Sequence, residues 1–426
     1  MDKEILRNII REGQEDIAVI EKELYKRPFE FEEQGRYVIT GVRHAGKSYM
    51  LFQQALHLIK KGHRPEEILY INFDDERLYG AMNAAEFDEI LQAYASLYPH
   101  TPILLLDEIQ NIDGWEHFAR RLANRKYQVF ITGSNAKMLS KDLATVLGNR
   151  YLNECIFPYS FKEFLGAKGI FPDAARMYGI QRNNIILAFQ EYFSWGGFPE
   201  LLLYNNKRKW LNQLYEKILL GDIIQRHKLK NEQGIRLTYK RLAETVKHPV
   251  SYNRIAHLVQ STGAKTTATS VMDYVSFAKE AFLIFSIENY ASKFTEKETT
   301  KKHYFIDNGL LHIFLSDPET ALLENICAID LHTRHTENEG VWYWNRNVEV
   351  DFFLPDEKTG IQVCYSTAND ITTFEREVKA LTELNKIHPL NRMVIVTYDE
   401  ERLHTTPANE TIEIIPAWKW LLRDND

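Results

Sequence analysis

Short apolar runs alternate with amphipathic segments along the N-terminal third of the chain, which is the pattern of a parallel sheet covered by helices. The apolar runs at residues 37–40, 68–73, 103–106 and 127–132 predict four strands. Residues 49–60, after the first of these runs, have helical periodicity. The pattern therefore predicts an α/β domain whose strands all run in the same direction.

The loop between the first strand and this helix reads Gly41-Val42-Arg43-His44-Ala45-Gly46-Lys47-Ser48. This is the phosphate-binding GxxxxGK[ST] motif, Walker A, in its strand-loop-helix setting. Its glycines let backbone N–H groups face a phosphate, and the helix dipole adds positive charge. Lys47 is predicted to reach the β- and γ-phosphates and Ser48 to bind Mg²⁺. A tight structural turn is the alternative, but all four fixed positions and both flanks match the motif. The predicted nucleotide-binding residues of this segment are Gly41, His44, Ala45, Gly46, Lys47, Ser48 and Tyr49.

The apolar run at residues 103–106 ends in Asp107-Glu108, which is a Walker B pattern. Asp107, at the carboxyl end of the strand, is predicted to hold hydrated magnesium, and Glu108 to polarise the attacking water. An acidic helix N-terminus would give the same residues. The preceding phosphate loop favours the catalytic interpretation.

Polar residues also follow the other predicted strands. Either Ser134 or Asn135 is predicted to contact the γ-phosphate or to position water, with a helix cap as the alternative for both. Arg150 is predicted to stabilise transition-state charge in its own or a neighbouring subunit, and a surface arginine fits its sequence equally well. Asp74 and Asp75 add acidic groups near the same edge, without an assigned role.

Composition bounds the rest of the molecule. A chain of 426 residues with 44% apolar residues predicts two or three domains. No run approaches the roughly 18 apolar residues of a membrane span, and the charged, amphipathic start does not resemble a secretory signal, so a cytoplasmic location is expected. The scattered cysteines, Cys155, Cys327 and Cys364, predict reduced thiols. A net charge of -7 argues against a uniformly basic nucleic-acid-binding surface and leaves local basic patches at residues 207–209 and 226–230.

The middle of the chain is predicted to be helical to about residue 230, with a rigid turn at Trp195-Gly196-Gly197-Phe198-Pro199-Glu200. An ion pair between Asp222 and Arg226 is expected on one helix. From residue 233 to 289 the order of helices at 250–259 and 267–281 and a strand at 283–287 suits a winged helix. Its second helix is poor in arginine, which favours packing or protein contact over sequence-specific DNA binding.

The C-terminal third predicts strands at residues 341–344, 348–354, 361–365 and 393–397, with a helix at 373–386. This order resembles the restriction-endonuclease-like PD-(D/E)xK fold, whose active members gather magnesium with two acidic residues and an E-x-K triplet. Glu324 and Asp351 match the first two positions, but the third reads Gln362-Val363-Cys364. An amide binds magnesium weakly and a thiol carries no ammonium charge, so an inactive scaffold is predicted. Cys364 is expected to be a core thiol.

The segments GVRHAGKS, YINFDDERL, LLLDEIQNIDGWE, ITGSNAKMLS and FPYSFKEFL occur in this order. Together they resemble the prokaryotic AAA-type ATPases related to the signal-transducing STAND class. The resemblance covers nearly the whole chain and implies ATP and Mg²⁺ at Lys47, Ser48, Asp107 and Glu108.

The predicted domains are an AAA-like ATPase (1–165), a helical lid (166–230), a winged helix (231–312) and a degenerate nuclease-like domain (313–426). The expected function is an ATP-hydrolysing switch that contacts a DNA or protein partner, as a monomer or a homo-oligomer. The alternatives are an ATP-regulated DNA nuclease and a regulator that binds ATP without hydrolysing it.

Overall fold

The computed structural model describes residues 3–20, 25–78, 86–172, 179–335, 340–368 and 371–423. The chain divides into two compact units. The first comprises residues 1–157 and 280–282, and the second comprises residues 158–279 and 283–426. Within the described ranges, no helix is both long and apolar enough to cross a membrane.

The N-terminal unit is built on a parallel five-stranded sheet, as far as the chain is described. Its strands are β1 (Tyr37–Thr40), β2 (Ile68–Asn72), β3 (Ile103–Asp107), β4 (Val129–Gly133) and β5 (Leu152–Cys155). Its helices are α1 (Lys3–Ile20), α2 (Lys47–Lys60), α3 (Phe87–Leu97), α4 (Trp115–Asn124) and α5 (Lys141–Val146). The α/β prediction and its four parallel strands are confirmed, and β5 is an addition to them.

The strand order is β2-β3-β4-β1-β5, so β4 lies between the strand of the phosphate loop and the strand of the acidic pair. The central strands β3 and β4 are buried along their whole length, as expected for parallel strands covered on both faces. Helix α1 packs against β2 so closely that a Cβ on Gly13 would lie 2.7 Å from the carbonyl oxygen of Tyr70.

In the second unit, the described residues 161–172 and 179–279 are largely helical. Helix α6 begins with a capping box between Ser160 and Glu163. The helices here are α6 (Phe161–Ala167), α7 (Ile180–Trp195), α8 (Lys207–Lys217), a π-helix (Ile218–Gln225), α9 (Glu232–Glu244), α10 (Tyr252–Gln260) and α11 (Ala268–Glu280). The predicted ion pair forms across the π-helix, where Arg226 donates to Asp222 at 2.9 Å.

Two further sheets complete this unit. An antiparallel sheet in the order β6-β8-β7 joins β6 (Val250–Ser251), β7 (Ile284–Ile287) and β8 (Thr300–Phe305). The strand β6 replaces the first two residues of the helix predicted at 250–259, which begins at Tyr252. The winged-helix interpretation of this region stays a prediction.

The last sheet is mixed, in the order β13-β14-β12-β11-β10-β9. Its strands are β9 (Trp342–Asn345), β10 (Glu349–Leu354), β11 (Thr359–Val363), β12 (Arg392–Thr397), β13 (Arg402–Thr405) and β14 (Thr411–Pro416). The remaining helices are α12 (Phe294–Thr299), α13 (Asn308–His312), α14 (Glu319–Arg334), α15 (Ile371–Ile387) and α16 (Ala417–Trp420). The likeness to a nuclease fold and the four domain boundaries remain predictions.

The turn predicted at residues 195–200 is held by a buried carboxylate. Asp307 accepts hydrogen bonds from the backbone N–H groups of Gly197 at 2.7 Å and Gly309 at 2.8 Å. Gly196 has a φ of 79°, and a Cβ there would lie 2.0 Å from Asp307 Oδ1. Burial raises the pKa of Asp307 to about 7. This turn therefore serves structure, as its sequence predicts.

Candidate active site

The loop that follows β1 adopts the conformation that its glycines permit. Gly41 (φ 147°), His44 (φ 61°) and Gly46 (φ 97°) all have positive φ angles. At Gly41 a Cβ would lie 2.0 Å from the carbonyl oxygen of Ile156, so a larger residue does not fit. Helix α2 begins directly at Lys47, and no side chain caps its first turn. Its first N–H groups therefore form a natural binding site for an anion.

Lys47 lies almost completely buried beneath this loop. Its Nζ donates to the carbonyl oxygen of Val42 at 3.2 Å and lies 3.4 Å from Glu108 Oε1. The predicted phosphate-binding lysine and the predicted catalytic glutamate, 61 positions apart in the sequence, thus meet at one edge of the sheet. This places the only buried ammonium of the described loop next to the carboxylate expected to act on water.

Asp107 is buried at the end of β3 and accepts hydrogen bonds from three hydroxyl groups. Tyr70 donates to its Oδ2 at 2.9 Å, Thr132 donates to its Oδ1, and Ser48 donates to the same carboxylate. Burial and the neighbouring Glu108 raise the pKa of Asp107, and these three donors oppose the rise. Ser48 and Asp107 are hard oxygen donors in direct contact, which is the donor chemistry that suits magnesium.

Glu108 is fixed in an orientation that points its carboxylate toward Lys47. It adopts a left-handed backbone conformation with a φ of 50°, and its N–H donates to the hydroxyl oxygen of Thr132 at 2.9 Å. Gln110 Nε2 donates to Glu108 Oε2 at 2.5 Å. Burial alone would raise the pKa of Glu108, but Lys47, Gln110 and Arg43 hold it below its ordinary value. The group is therefore a carboxylate at neutral pH, as a proton acceptor must be.

Ser134 and Asn135, the two polar residues predicted to act after β4, make different contacts. Ser134 is buried and its Oγ lies 3.3 Å from Gln110 Nε2, within the network that also holds Glu108. The side chain of Asn135 instead accepts from the N–H of Lys137 and caps the short helix Ala136–Leu139. For Asn135 the alternative interpretation as a helix cap thus describes its contact, and its role toward nucleotide stays a prediction.

Of the other predicted nucleotide contacts, His44 and Ala45 lie in the loop itself, where Ala45 is fully buried. Tyr49 lies in the first turn of α2 and is 44% exposed, with its ring 6.2 Å from that of Phe52. Asp75 forms a surface ion-pair network with Arg77. Neither Asp75 nor the exposed Asp74 is held against the acidic pair of β3.

Arg150 lies at the opposite edge of the sheet from the phosphate loop. Strand β5 pairs with β1 in parallel, Leu152 with Tyr37 and Cys155 with Thr40, so Arg150 precedes the start of both strands. Its guanidinium donates to the side-chain oxygen of Asn124, where α4 ends. Four strand residues of about 3.3 Å each separate the two edges. Arg150 thus lies away from the phosphate loop of its own chain, and its role in catalysis, in its own or a neighbouring subunit, stays a prediction.

Sequence reasoning missed four residues that hold this site together. Tyr70 and Thr132 orient Asp107, and Gln110 orients Glu108. Arg27 donates to the carbonyl oxygens of Ala45 at 3.2 Å and Phe157 at 3.0 Å, which ties the N-terminal segment to the phosphate loop. None of these residues belongs to the loop motif. The position of Thr132 at the end of β4 was the one available signal.

The predicted basic patches are partly neutralised in the structure. Lys207 lies 2.9 Å from Glu191, and Arg226 is paired with Asp222. The three cysteines are free thiols. Cys364 donates to the carbonyl oxygen of Ser366 at 3.1 Å, and burial raises its pKa to about 11, which fits the expected unreactive thiol.

The two acidic residues matched to the predicted nuclease-like fold, Glu324 and Asp351, share a contact. Glu324 of α14 and Asp351 of β10 both contact Lys302 of β8. Gln362 lies next to them on β11 and accepts from the N–H of Asp351 at 2.8 Å. Within the described residues, no group of three or more His, Cys, Asp or Glu side chains is arranged to hold a metal ion.

Comparisons with known proteins agree with this geometry. Residues 33–165 match a family model described as an AAA domain, and residues 186–320 match a domain of unknown function, DUF8612. The chain is 36% identical over 400 residues to Uncharacterized protein MJ1544 of Methanocaldococcus jannaschii, with 90% of this chain and 88% of that protein covered. It is 31% identical over 399 residues to an uncharacterized protein of Haemophilus influenzae, with 91% and 94% covered.

Among solved structures, the Walker-type ATPase PABY2304 of Pyrococcus abyssi is similar over 72% of this chain and 95% of that chain, with a TM-score of 0.42 and 12% identity. The family model covers residues 33–165, which includes the phosphate loop and all five strands of the N-terminal unit and extends eight residues into the second unit. The AAA family model and the loop geometry show that the N-terminal unit is a P-loop domain of the AAA type. Because the identity to MJ1544 is 36% across 90% of the chain, this protein belongs to the same family as MJ1544.

Proposed function

We propose that the protein binds and hydrolyses ATP as a molecular switch, and that the nucleotide state controls how its second unit contacts a DNA or protein partner. The observation that carries this proposal is the buried contact between Lys47 Nζ and Glu108 Oε1 at 3.4 Å, beside the hydrogen-bonded pair of Ser48 and Asp107. Phosphate-binding, metal-binding and proton-accepting groups thus share one edge of the sheet. A purely structural turn would need none of these groups there.

Each of these side chains has a distinct role in hydrolysis. The N–H groups of the loop and the Lys47 ammonium bind the phosphates and offset their charge. The oxygens of Ser48 and Asp107 would hold a magnesium ion, which would supply further positive charge to the phosphates. Glu108, ionised and oriented by Gln110, accepts a proton from the attacking water.

Two substitutions separate binding from hydrolysis. Glu108→Gln keeps the shape and the contact with Gln110 but removes the base, so we expect ATP turnover to fall by at least about 100-fold while ATP still binds. Lys47→Ala is expected to weaken ATP binding as well. Lys60→Ala, an exposed lysine at the end of the same helix, is the matched control. Wild-type turnover in Lys47→Ala would overturn the proposal.

A single-turnover measurement distinguishes the switch from a regulator that holds ATP without hydrolysing it. Wild-type protein in excess over radiolabelled ATP should convert the bound nucleotide to ADP, and Glu108→Gln should not. If the wild type leaves bound ATP intact, the non-hydrolysing alternative replaces the switch.

The coupling to a partner and the assembly state form the second part of the proposal. Light scattering with no nucleotide, with ADP and with a non-hydrolysable ATP analogue should give a mass or a hydrodynamic radius that depends on the nucleotide. Equal values in all three states would contradict a nucleotide-controlled change. The nuclease alternative gains no support from the second unit, since Gln362 and Cys364 stand where a carboxylate and a lysine are needed.

A further inference from the structure

Two acidic residues that the predicted nuclease-like fold would use to hold a divalent metal lie close together in the second unit. Glu324 and Asp351 come from different elements, α14 and β10, and their carboxylates converge on a single point. Glu349, two residues before Asp351, adds a third carboxylate.

The point on which these carboxylates converge is taken by the ammonium group of Lys302. Its Nζ lies 2.9 Å from Asp351 Oδ1, 3.1 Å from Glu324 Oε1 and 3.1 Å from Glu349 Oε1. The Lys302 side chain is 0% exposed, and the face of the Tyr343 ring lies 5.7 Å from Nζ. The ammonium donates hydrogen bonds to Glu324 Oε1 and Asp351 Oδ1 and forms an ion pair with Glu349.

The carboxylate oxygens of the cluster also accept hydrogen bonds from other protein groups. Asp351 Oδ2 accepts from the N–H of Val363 at 3.0 Å, and Glu324 Oε1 also accepts from the Tyr304 hydroxyl at 2.7 Å. The Gln362 amide donates to Glu377 Oε2 at 2.6 Å, so it faces a carboxylate of α15. A glutamate at position 362 would place two carboxylates at that distance, which explains why an amide fits better.

A divalent metal and Lys302 exclude each other on physical grounds. Magnesium needs oxygen ligands at about 2.0–2.1 Å, and a metal bound by these oxygens would overlap the lysine nitrogen. The Lys302 nitrogen therefore occupies the position that such a metal would need.

We infer that Lys302 is a built-in cation that takes the place of the divalent metal ion in the nuclease-like region of this protein. This inference is independent of the proposed ATPase function. Lys302 comes from β8, which pairs with β6 and β7, while Asp351 lies in the separate mixed sheet. The lysine therefore links two sheets of the second unit at all times. A metal ion from solution would link them only while it is bound.

The inference predicts that removal of the ammonium creates a metal site. All variants carry Ser48→Ala, which removes a metal-binding hydroxyl from the phosphate loop, and all are studied without nucleotide. Mn²⁺ binding is measured by calorimetry and by the electron paramagnetic resonance signal of free Mn²⁺. Lys302→Met should bind Mn²⁺ at least about tenfold more tightly than the Lys302 parent, and Lys302→Met/Asp351→Asn should lose the gain. Lys302→Arg, which keeps the positive charge, should behave as the parent.

Thermal unfolding keeps the test decisive if Lys302→Met folds poorly. A ligand that binds only the folded state raises the unfolding temperature, so Mn²⁺ should stabilise Lys302→Met and leave the parent unchanged. The inference fails if the parent binds Mn²⁺ in a manner that Asp351→Asn abolishes. It also fails if Lys302→Met shows neither binding nor stabilisation by Mn²⁺.

Discussion

The Tyr70→Phe substitution tests how the structure orients Asp107. The Tyr70 hydroxyl donates to the buried Asp107 carboxylate at 2.9 Å, and its ring packs 4.9 Å from that of Phe52. Phenylalanine keeps the ring and removes only the donor. A hydrogen bond to a charged group contributes about 1.5–3 kcal/mol, so the free energy of unfolding of the N-terminal unit should fall by that amount.

The larger effect is expected on the metal. Asp107 would lose one of its three hydroxyl donors and keep those of Thr132 and Ser48. Loss of a residue that orients a metal ligand typically weakens metal binding by about 10–100-fold. The Mg²⁺ concentration for half-maximal ATP hydrolysis should therefore rise within that range, while the turnover at saturating Mg²⁺ changes less.

Tyr94→Phe is the matched control for this substitution. The Tyr94 hydroxyl donates to the backbone carbonyl of Glu66 at 2.6 Å, in the same unit and away from Asp107. Its loss should cost about 0.5–1.5 kcal/mol and leave the Mg²⁺ dependence unchanged. The reasoning is refuted if the Mg²⁺ requirement of Tyr70→Phe stays at the wild-type value, or if both variants shift it equally.

Three further predictions concern the second unit. Gly196→Ala should lower its thermal unfolding temperature more than Gly263→Ala does, because both have positive φ angles but only Gly196 faces Asp307 at 2.0 Å; equal losses in calorimetry would contradict the packing described for the turn. Burial raises the pKa of Asp307 to about 7. The protonated carboxyl group therefore contributes on the order of 4 kcal/mol to the free energy of unfolding below about pH 4, and this contribution is lost as the pH rises through 7. Calorimetry of Asp307→Asn should show a shallower decline between pH 5 and 8 than the wild type, and an unchanged slope would reject this assignment. Finally, Gln362→Glu/Cys364→Lys should not nick plasmid DNA with Mg²⁺, because Lys302 still occupies the cluster; Mg²⁺-dependent nicking would contradict that.

The phosphate loop shows what can be predicted from the sequence. Its spacing, its glycines and its flanking strand and helix are all local, and the backbone conformations they require depend on neighbouring residues in the chain. The parallel strands could also be predicted from the sequence, because each is a continuous apolar run that is buried on both faces of the sheet. The observed strand ends differ from the predicted ones by no more than two residues. The side-chain pattern indicates which residues are buried more reliably than it indicates where a strand ends.

Arg150 and Asn135 show how little the sequence says about the position of a residue beyond its own element. The direction in which β5 enters the sheet places Arg150 at the far edge from the phosphate loop, and the role of either residue toward nucleotide stays a prediction. Asn135 is used as a helix cap, a local role that the sequence offered as an alternative. Proximity along the chain does not determine which end of a sheet a residue reaches.

The sequence by itself determined the chemical groups of the phosphate site, because motif and strand pattern are local properties of the chain. Only the tertiary structure decided their partners: Tyr70 and Thr132 for Asp107, Gln110 for Glu108 and Lys302 for the acidic cluster. Lys302 lies in the polar strand TKKHYF, where no periodicity distinguishes a buried lysine from an exposed one. Its environment comes from α14 and β10, which the chain brings together only when the sheets pack.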